Sequence, residues 1–560
     1  MGWFFVSIQP RKSDMPLVFY AGFRGGASCK VAMLILLVLL LLLCHGIGNS
    51  HGSPPVLVHN NDMLSLLDFK RAITYDPNGA LASWDRSNPL CGWMGVTCSR
   101  AHPGRVAALE LTGQDLKGEI VASLGKLTFL RILNLSRNNF CCRVPPLSRL
   151  LNLEVLDLSN NSLQDTIPGP FANCSNLRML DISMNDMFGE IGPGVSLLSK
   201  LLVLDLSMNR LSGRIPSTLS NTTHLEVISL SYNDLSGNIS PEIGDASPGL
   251  QQLTINHNMF EGRIPASLGN ASGLQIIDLS YNDLVGQVPT SLGKLRKLSF
   301  LNLEVNLIQA SDDQSWKFLY ALANCTLLQV LPLYNNPLEG VIPNSIGNLS
   351  ISLQSLLLGE TYLSGIVPRS IGKLHGLIRL RLDGNNHTGA IGEWIGELTN
   401  LRDLHLQANN FIGTIPHLVT NFTYMKQLDL SYNNIRGTIP PNLGNLRQLE
   451  LLNLTSNNFR GDIPSSLGNL RQLIWLEAGD NYLQGRIPSN FGNLHQLVLL
   501  NLSNNNLNGV IPRSLGNLQQ LILMDFSNNN LEGAIPSNLG NLCQLQRLDL
   551  SLNNFQGVIP

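Results

Sequence analysis

Charge is scarce in this chain. Asp, Glu, Lys and Arg make up 14% of its 560 residues, and the formal net charge is −2. No long run of one sign occurs, so the electrostatic footprint of a nucleic-acid or anionic-membrane binder is missing. Aromatic residues are 6%. The histidines are scattered, no paired-acid motif stands apart, and no phosphate-cradling glycine loop is present. These absences argue against catalysis and leave no metal or cofactor set to assign. Long apolar runs are also lacking, with one exception. Val31–Leu43 reads VAMLILLVLLLLL, shorter than the roughly 20 residues a membrane-spanning helix needs.

What the chain has instead is a period. An Asn recurs about every 24 residues in the frame Leu-x-x-Leu-x-Leu-x-x-Asn-x-Leu-x-Gly-x-Ile-Pro. The regular run is Asn385, Asn409, Asn433, Asn457, Asn481, Asn505, Asn529 and Asn553, and upstream copies carry Asn138, Asn161, Asn185, Asn209, Asn233, Asn258, Asn282, Asn306 and Asn336. Gln114 and Thr361 fill the two slots that lack Asn, giving nineteen copies between Val106 and Pro560. Leu spacing and period together specify a leucine-rich-repeat solenoid, an α/β superhelix of about 19 coils. In the copy at Asn457, Leu452 and Leu454 alternate with polar residues, which fits a short half-buried strand. Asn457 then turns inward, where its amide can satisfy backbone groups of neighbouring coils. Gln114 is expected to imitate this with a longer arm, and Thr361 offers only a hydroxyl. Gly461 and Pro464 turn the chain, and residues 465–470 form a short helical turn.

The ends divide the chain. Residues 1–50 read as a signal peptide with a long N-terminal region, the alternative being an uncleaved anchor. Residues 51–105 form an N-terminal cap. In it Asp62 is expected to cap a helix from Met63 to about Ile73, with Leu66, Phe69 and Ile73 on one side. Of nine cysteines, Cys91 and Cys98 form a close pair that reads as a disulfide in an exported chain. A metal pair is the alternative, and it lacks a second set of ligands. Cys174 and Cys325 read as buried, unreactive thiols. Cys142 stands where the frame has Gly, beside Cys141. Residues 106–560 are the solenoid, which stops in mid-frame at Pro560, so a fragment, a truncated product or a chain needing a partner is expected. One coil is irregular: Asn306 to Asn336 spans 30 residues, and 307–336 includes Trp316, Leu319 and Leu322 at helical spacing.

A solenoid moves the functional question from pockets to surfaces. Most strands present Asp or Asn and then Ser outward, as in Asp205/Ser207 and Asp278/Ser280. Departures cluster at Tyr334, Glu360, Arg379, Arg381, Asp383, Asp403, His405 and Gln407, on adjacent coils. Arg and Tyr are favoured interface anchors, so this group is the candidate ligand-binding patch. A weaker second candidate is Trp475 with Glu477.

The cap sequence NDMLSLLDFKRAITYDPNGALASW, then CGWMGVTC, resembles the N-terminal cap of plant leucine-rich-repeat receptor kinases, and Leu-x-Gly-x-Ile-Pro is the plant extracellular subtype. The insert SWKFLYALANCTLLQVL and the later NSIGNLSISLQSLLLG resemble the subfamily of the bacterial flagellin, elongation-factor and rice bacterial-blight resistance receptors. The resemblance implies a plasma-membrane receptor with its solenoid outside the cell. It further implies a peptide or protein ligand, a co-receptor kinase as partner, and signalling in immunity or development. The chain departs from that pattern: it carries no Gly-rich loop, His-Arg-Asp or Asp-Phe-Gly, so phosphoryl transfer cannot be assigned to it, and membrane association would need a segment outside this chain. A secreted inhibitor or decoy of cell-wall enzymes is the second reading, and an intracellular scaffold the third.

Twelve Asn-x-Ser/Thr sequons occur, at Asn134, Asn160, Asn173, Asn221, Asn238, Asn270, Asn324, Asn348, Asn386, Asn421, Asn453 and Asn501. They are candidate glycosylation sites. Asn134, Asn453 and Asn501 fall on strand positions of the binding face, where a glycan would obstruct a ligand. Glycopeptide mass spectrometry of the secreted chain is expected to find lower occupancy at these three than at the loop sequons. Equal occupancy would argue against that face as a binding surface.

Overall fold

The structure is a computed structural model that describes residues 61–559 apart from 168–170 and 172. The apolar run 31–43, with Cys29 and Cys44, lies outside the described residues. Each coil begins with a three-residue strand such as Leu451–Asn453, bends at Asn457, adds a second short strand such as Asn458–Asp462, and returns through a 3-10 turn such as Ser465–Asn469. The first strands pair in parallel, in register at the coil period: Leu451 with Trp475, then Trp475 with Leu499. Among the described residues nineteen such strands run from Val106–Glu110 to Arg547–Asp549, with Val96–Cys98 added antiparallel at the start. At about 4.8 Å per strand this face is on the order of 90 Å long.

The alternation decides what is buried. Leu452 and Leu454 are fully buried, and their counterparts form one continuous core from Leu66 to Leu542. Phe140, Phe260, Phe411 and Phe459 fill the Leu slot of Leu-x-Gly-x-Ile-Pro in their coils. Gly461 has φ +78°, a conformation that side chains resist, and it is this residue that turns the second strand.

The Asn ladder forms as expected. Asn457 Nδ2 donates to Leu430 O at 2.9 Å in the preceding coil and to Leu454 O and Thr455 O in its own, while its Oδ1 accepts from Ile435 N–H at 3.0 Å. Gln114 does not imitate it. Its side chain donates to Thr112 O, and its own N–H is capped by Asn138 Oδ1. No coil of this type precedes it to receive the amide. Thr361 Oγ1 lies 2.7 Å from Asn385 Oδ1 and 3.1 Å from Leu358 O, so it stays within reach of the ladder but sends nothing back to the coil before it.

The cap helix spans Asn61–Ala72 and buries Leu66 and Phe69, while Ile73 begins a strand. Asp62 lies inside the first turn and does not cap it. Its carboxylate accepts from Arg105 Nε at 3.0 Å, Arg105 Nη2 at 3.1 Å and Val106 N–H at 2.9 Å, which pins the first solenoid strand to the helix. Phe69 packs between Trp84 and Phe140, and Trp84 stacks on Trp93 with centroids 5.4 Å apart. The Sγ atoms of Cys91 and Cys98 are bonded. The irregular coil forms a helix at Lys317–Leu322 that buries Phe318 as well as Leu319 and Leu322, with Trp316 also buried, against the 3-10 turn Thr290–Lys294. The ladder crosses this longer coil intact, because Asn336 Nδ2 still reaches Leu303 O at 2.9 Å. Cys174 and Cys325 are fully buried, and burial pushes both thiols up to about 11.

Two measurements test these constraints. Asn457→Ala strands the Leu430 carbonyl and the Ile435 N–H, and denaturant unfolding is expected to show a loss of about 2–4 kcal/mol. The exposed Asn517→Ala should lose almost nothing. The second concerns Asp278, whose Oδ1 accepts from Ser280 N–H at 3.2 Å and Ser280 Oγ at 2.6 Å. Burial raises this carboxyl from 3.8 to about 6. A raised carboxyl favours folding below its unfolded value, and that contribution is lost as pH climbs through about 6. Asn fills the same row at Asn453 and Asn501 and keeps the acceptor bond. Asp278→Asn is therefore expected to be more stable than wild type at pH 7, by up to about 3 kcal/mol, with the difference vanishing near pH 4. A pH-independent difference would contradict the assignment.

Candidate functional site on the inner sheet

Three rows of side chains run across the outward face of the long sheet. In the sector of the candidate patch, one row holds Val330, Ser355, Arg379, Asp403 and Gln427, and the next Pro332, Leu357, Arg381, His405 and Asp429. Tyr334, Gly359, Asp383 and Gln407 make up the third, two residues beyond the second row in each coil. Glu360 belongs to none of them. It occupies the left-handed bend after the strand, with φ +47°, and reaches the patch from its rim. The strand pattern alone does not separate that bend from the outward rows.

The structure brings these residues into contact. Arg381 forms a two-pronged ion pair with Asp383, Nε to Oδ1 at 3.0 Å and Nη2 to Oδ2 at 2.7 Å. The same guanidinium lies 5.1 Å from the centroid of the Tyr334 ring. Burial, and then a hydrogen bond to the Glu360 carboxylate, push the Tyr334 hydroxyl well above its usual range. Arg379 Nε donates to Asp403 Oδ2 at 3.1 Å. His405 Nε2 lies 3.2 Å from Gln427 Oε1. Burial, then the Arg381 cation, lower the His405 pKa, so its ring is neutral at neutral pH. Two buried polar atoms, His405 Nδ1 and Gln407 Oε1, have no hydrogen-bond partner among the described residues. An unpaired buried polar atom costs about 1–3 kcal/mol.

Gly359 belongs to the same cluster and is not singled out by sequence reasoning. A Cβ there would lie 2.6 Å from Asp383 Oδ1 and 3.1 Å from Tyr334 Cδ2, so its absence lets those two side chains close over the strand. The signal was available: Gly359 stands where most coils carry Ser. His387 was missed too. It fills a core slot usually held by Leu or Phe, is fully buried, and is held by that burial at a pKa of about 4. Of the second candidate pair, Trp475 is exposed and Glu477 is half-buried, its carboxyl raised by burial and then by the Asp429 charge.

Among the sequons, Asn134, Asn453 and Asn501 are half-buried on the long sheet, and the Oδ1 of each accepts hydrogen bonds from its own coil. Asn160, Asn173, Asn238, Asn270, Asn324, Asn348, Asn386 and Asn421 are exposed. Among the described residues no helix is long and apolar enough to cross a membrane, and no group of His, Cys, Asp and Glu could hold a metal ion.

Known proteins share this architecture. The model of the leucine-rich-repeat N-terminal domain matches residues 59–99, that of the leucine-rich-repeat region matches 413–557, and the single-repeat model matches 200–222, 224–246, 273–295 and 327–349. The Arabidopsis thaliana receptor-like serine/threonine-protein kinase EFR is 43% identical over 98 residues, which are 17% of this chain and 9% of that protein. Phytosulfokine receptor 1 of the same plant is 38% identical over 135 residues, 24% of this chain and 13% of the other. The chain thus aligns with a small part of the curated relatives it matches. Among solved structures, the ectodomain of the Arabidopsis receptor kinase GASSHO1/SCHENGEN3, in complex with CASPARIAN STRIP INTEGRITY FACTOR 2, superposes with a TM-score of 0.82 at 35% identity, over 89% of this chain and 62% of that one. The Arabidopsis receptor kinase HAESA, in complex with the peptide hormone IDA and the co-receptor SERK1, gives a TM-score of 0.67 at 30% identity over 90% of this chain and 91% of the other. With cap, repeats and superhelix all matched, this chain belongs to the plant leucine-rich-repeat receptor family, in its ectodomain.

Proposed function

We propose that this chain is the extracellular, non-catalytic recognition part of a plant receptor that signals in immunity or development, and that it takes an extended peptide across the coils from Tyr334 to Gln427. The observation that carries this reading is the pair of unpartnered polar atoms, His405 Nδ1 and Gln407 Oε1, buried beside two ion-paired arginines. With the ring neutral and Nε2 donating to Gln427 Oε1, His405 Nδ1 accepts, as does Gln407 Oε1, so the two atoms suit N–H groups of an extended peptide backbone. Because Arg379 and Arg381 are already paired with Asp403 and Asp383, the patch favours a polar, near-neutral segment over a strongly acidic one. Solved relatives in complex with a peptide, and in one case also with a co-receptor, support a peptide ligand and a co-receptor partner.

Phage-displayed random peptides selected on the purified chain provide the test. Peptides that bind wild type are expected to lose at least about tenfold in affinity on Arg379→Ala/Arg381→Ala, which frees two carboxylates and removes the cover of Tyr334. Gln407→Ala should weaken the same peptides without disturbing either ion pair. Selected peptides that bind all three proteins equally would place recognition elsewhere.

A further inference from the structure

The strand Asn139–Cys142 carries two adjacent cysteines on the flank of the solenoid, away from the long sheet and next to the cap. Neighbouring residues of a strand normally point to opposite faces. Here they do not. Cys142 stands in the slot the frame reserves for Gly and has φ +73°, which swings its side chain back toward Cys141. The two Sγ atoms lie 3.0 Å apart. Cys142 is exposed and Cys141 half-buried, so reagents in solution reach the pair. The remaining thiols among the described residues are elsewhere. Cys91 and Cys98 are bonded to each other, Cys174 and Cys325 are sealed in the core, and Cys543 lies near the far end of the solenoid. Each therefore has the other as its one available partner within the described chain.

We infer that Cys141 and Cys142 are a redox modification site that closes into a vicinal disulfide on exchange with a small dialkyl disulfide. The step balances as ordinary thiol–disulfide exchange. One thiolate attacks the reagent, forms a mixed disulfide and releases one thiol. The neighbouring thiolate then attacks the protein sulfur, forms the Cys141–Cys142 bond and releases the second thiol. Two protein thiols are oxidised and one reagent disulfide is reduced. Consecutive Cα atoms are about 3.8 Å apart, below the roughly 4.4–6.8 Å that disulfides usually span. The closed ring is therefore strained and easily reduced, unlike the cap disulfide, whose Cα atoms are 5.5 Å apart. The site is reversible where Cys91–Cys98 is structural.

The test uses the full secreted chain, incubated with oxidised glutathione, alkylated with iodoacetamide without reductant, digested and weighed. The peptide carrying both residues is expected two hydrogens lighter than its dithiol form and unalkylated, and to take up two labels after reduction. Graded dithiothreitol should open it at a concentration at least about tenfold below that which opens Cys91–Cys98. Cys142→Gly restores the residue of the frame, and in this variant Cys141 should be alkylated without reductant or carry glutathione. Full labelling of both cysteines in wild type, a bond from either to another cysteine or chain, or protection of Cys141 in the variant by another protein cysteine would each overturn the inference.

Discussion

The amide of one buried Asn per coil sets the terms for everything else in this molecule. A three-residue strand is too short to hold its place by sheet pairing alone, and its leucines fill the interior without specifying register. The side chain of Asn457 does specify it. It bonds a carbonyl of the coil before and accepts the N–H that leads into that coil's second strand, so adjacent coils cannot slide or rotate without stranding buried polar groups. With the frame so fixed, the residues between the leucines are free to vary, and those residues form the face on which recognition is proposed.

The ladder also explains which parts of the structure could be read from the chain beforehand. Period, strand, turn and core follow from spacing, because each coil meets only its neighbours and those neighbours have the same pattern. The ends and exceptions do not, since there the neighbour differs. Gln114 has the right chemistry for a rung but no preceding coil of its own kind to bond. Asp62 has the look of a helix cap, yet the long-range partner Arg105 and the first strand's N–H claim its carboxylate. Glu360 falls by spacing beside the strand rows, and only the left-handed bend shows that it approaches from the rim. The roles of Gly359 and His387 depend on what stands one coil away, and a count along a single coil cannot supply that.

The candidate patch was legible as a cluster because it breaks the Asp/Asn-then-Ser background, but its electrostatics were not. The sequence places arginines and acids on adjacent coils without showing how they pair. In the structure each arginine is neutralised by an aspartate, one in the next coil and one two residues along, and the hydrogen-bonding capacity left over is uncharged. Salt is thus expected to matter less to recognition here than shape and backbone pairing, since arginines already neutralised by aspartates offer little net charge to a ligand.

The one broken rung falls beside that patch. Thr361 sends no amide to the coil before it, and there Leu338 N–H turns to Asn336 O of its own coil instead. Across this step the coils carrying Tyr334 and Glu360 are joined by sheet pairing, by the Tyr334–Glu360 hydrogen bond and, one coil further, by the Tyr334–Arg381 contact. The surface contacts therefore take over part of what the buried amide does elsewhere. A peptide lying over these rows would bridge the same coils and add bonds where the interior has one fewer.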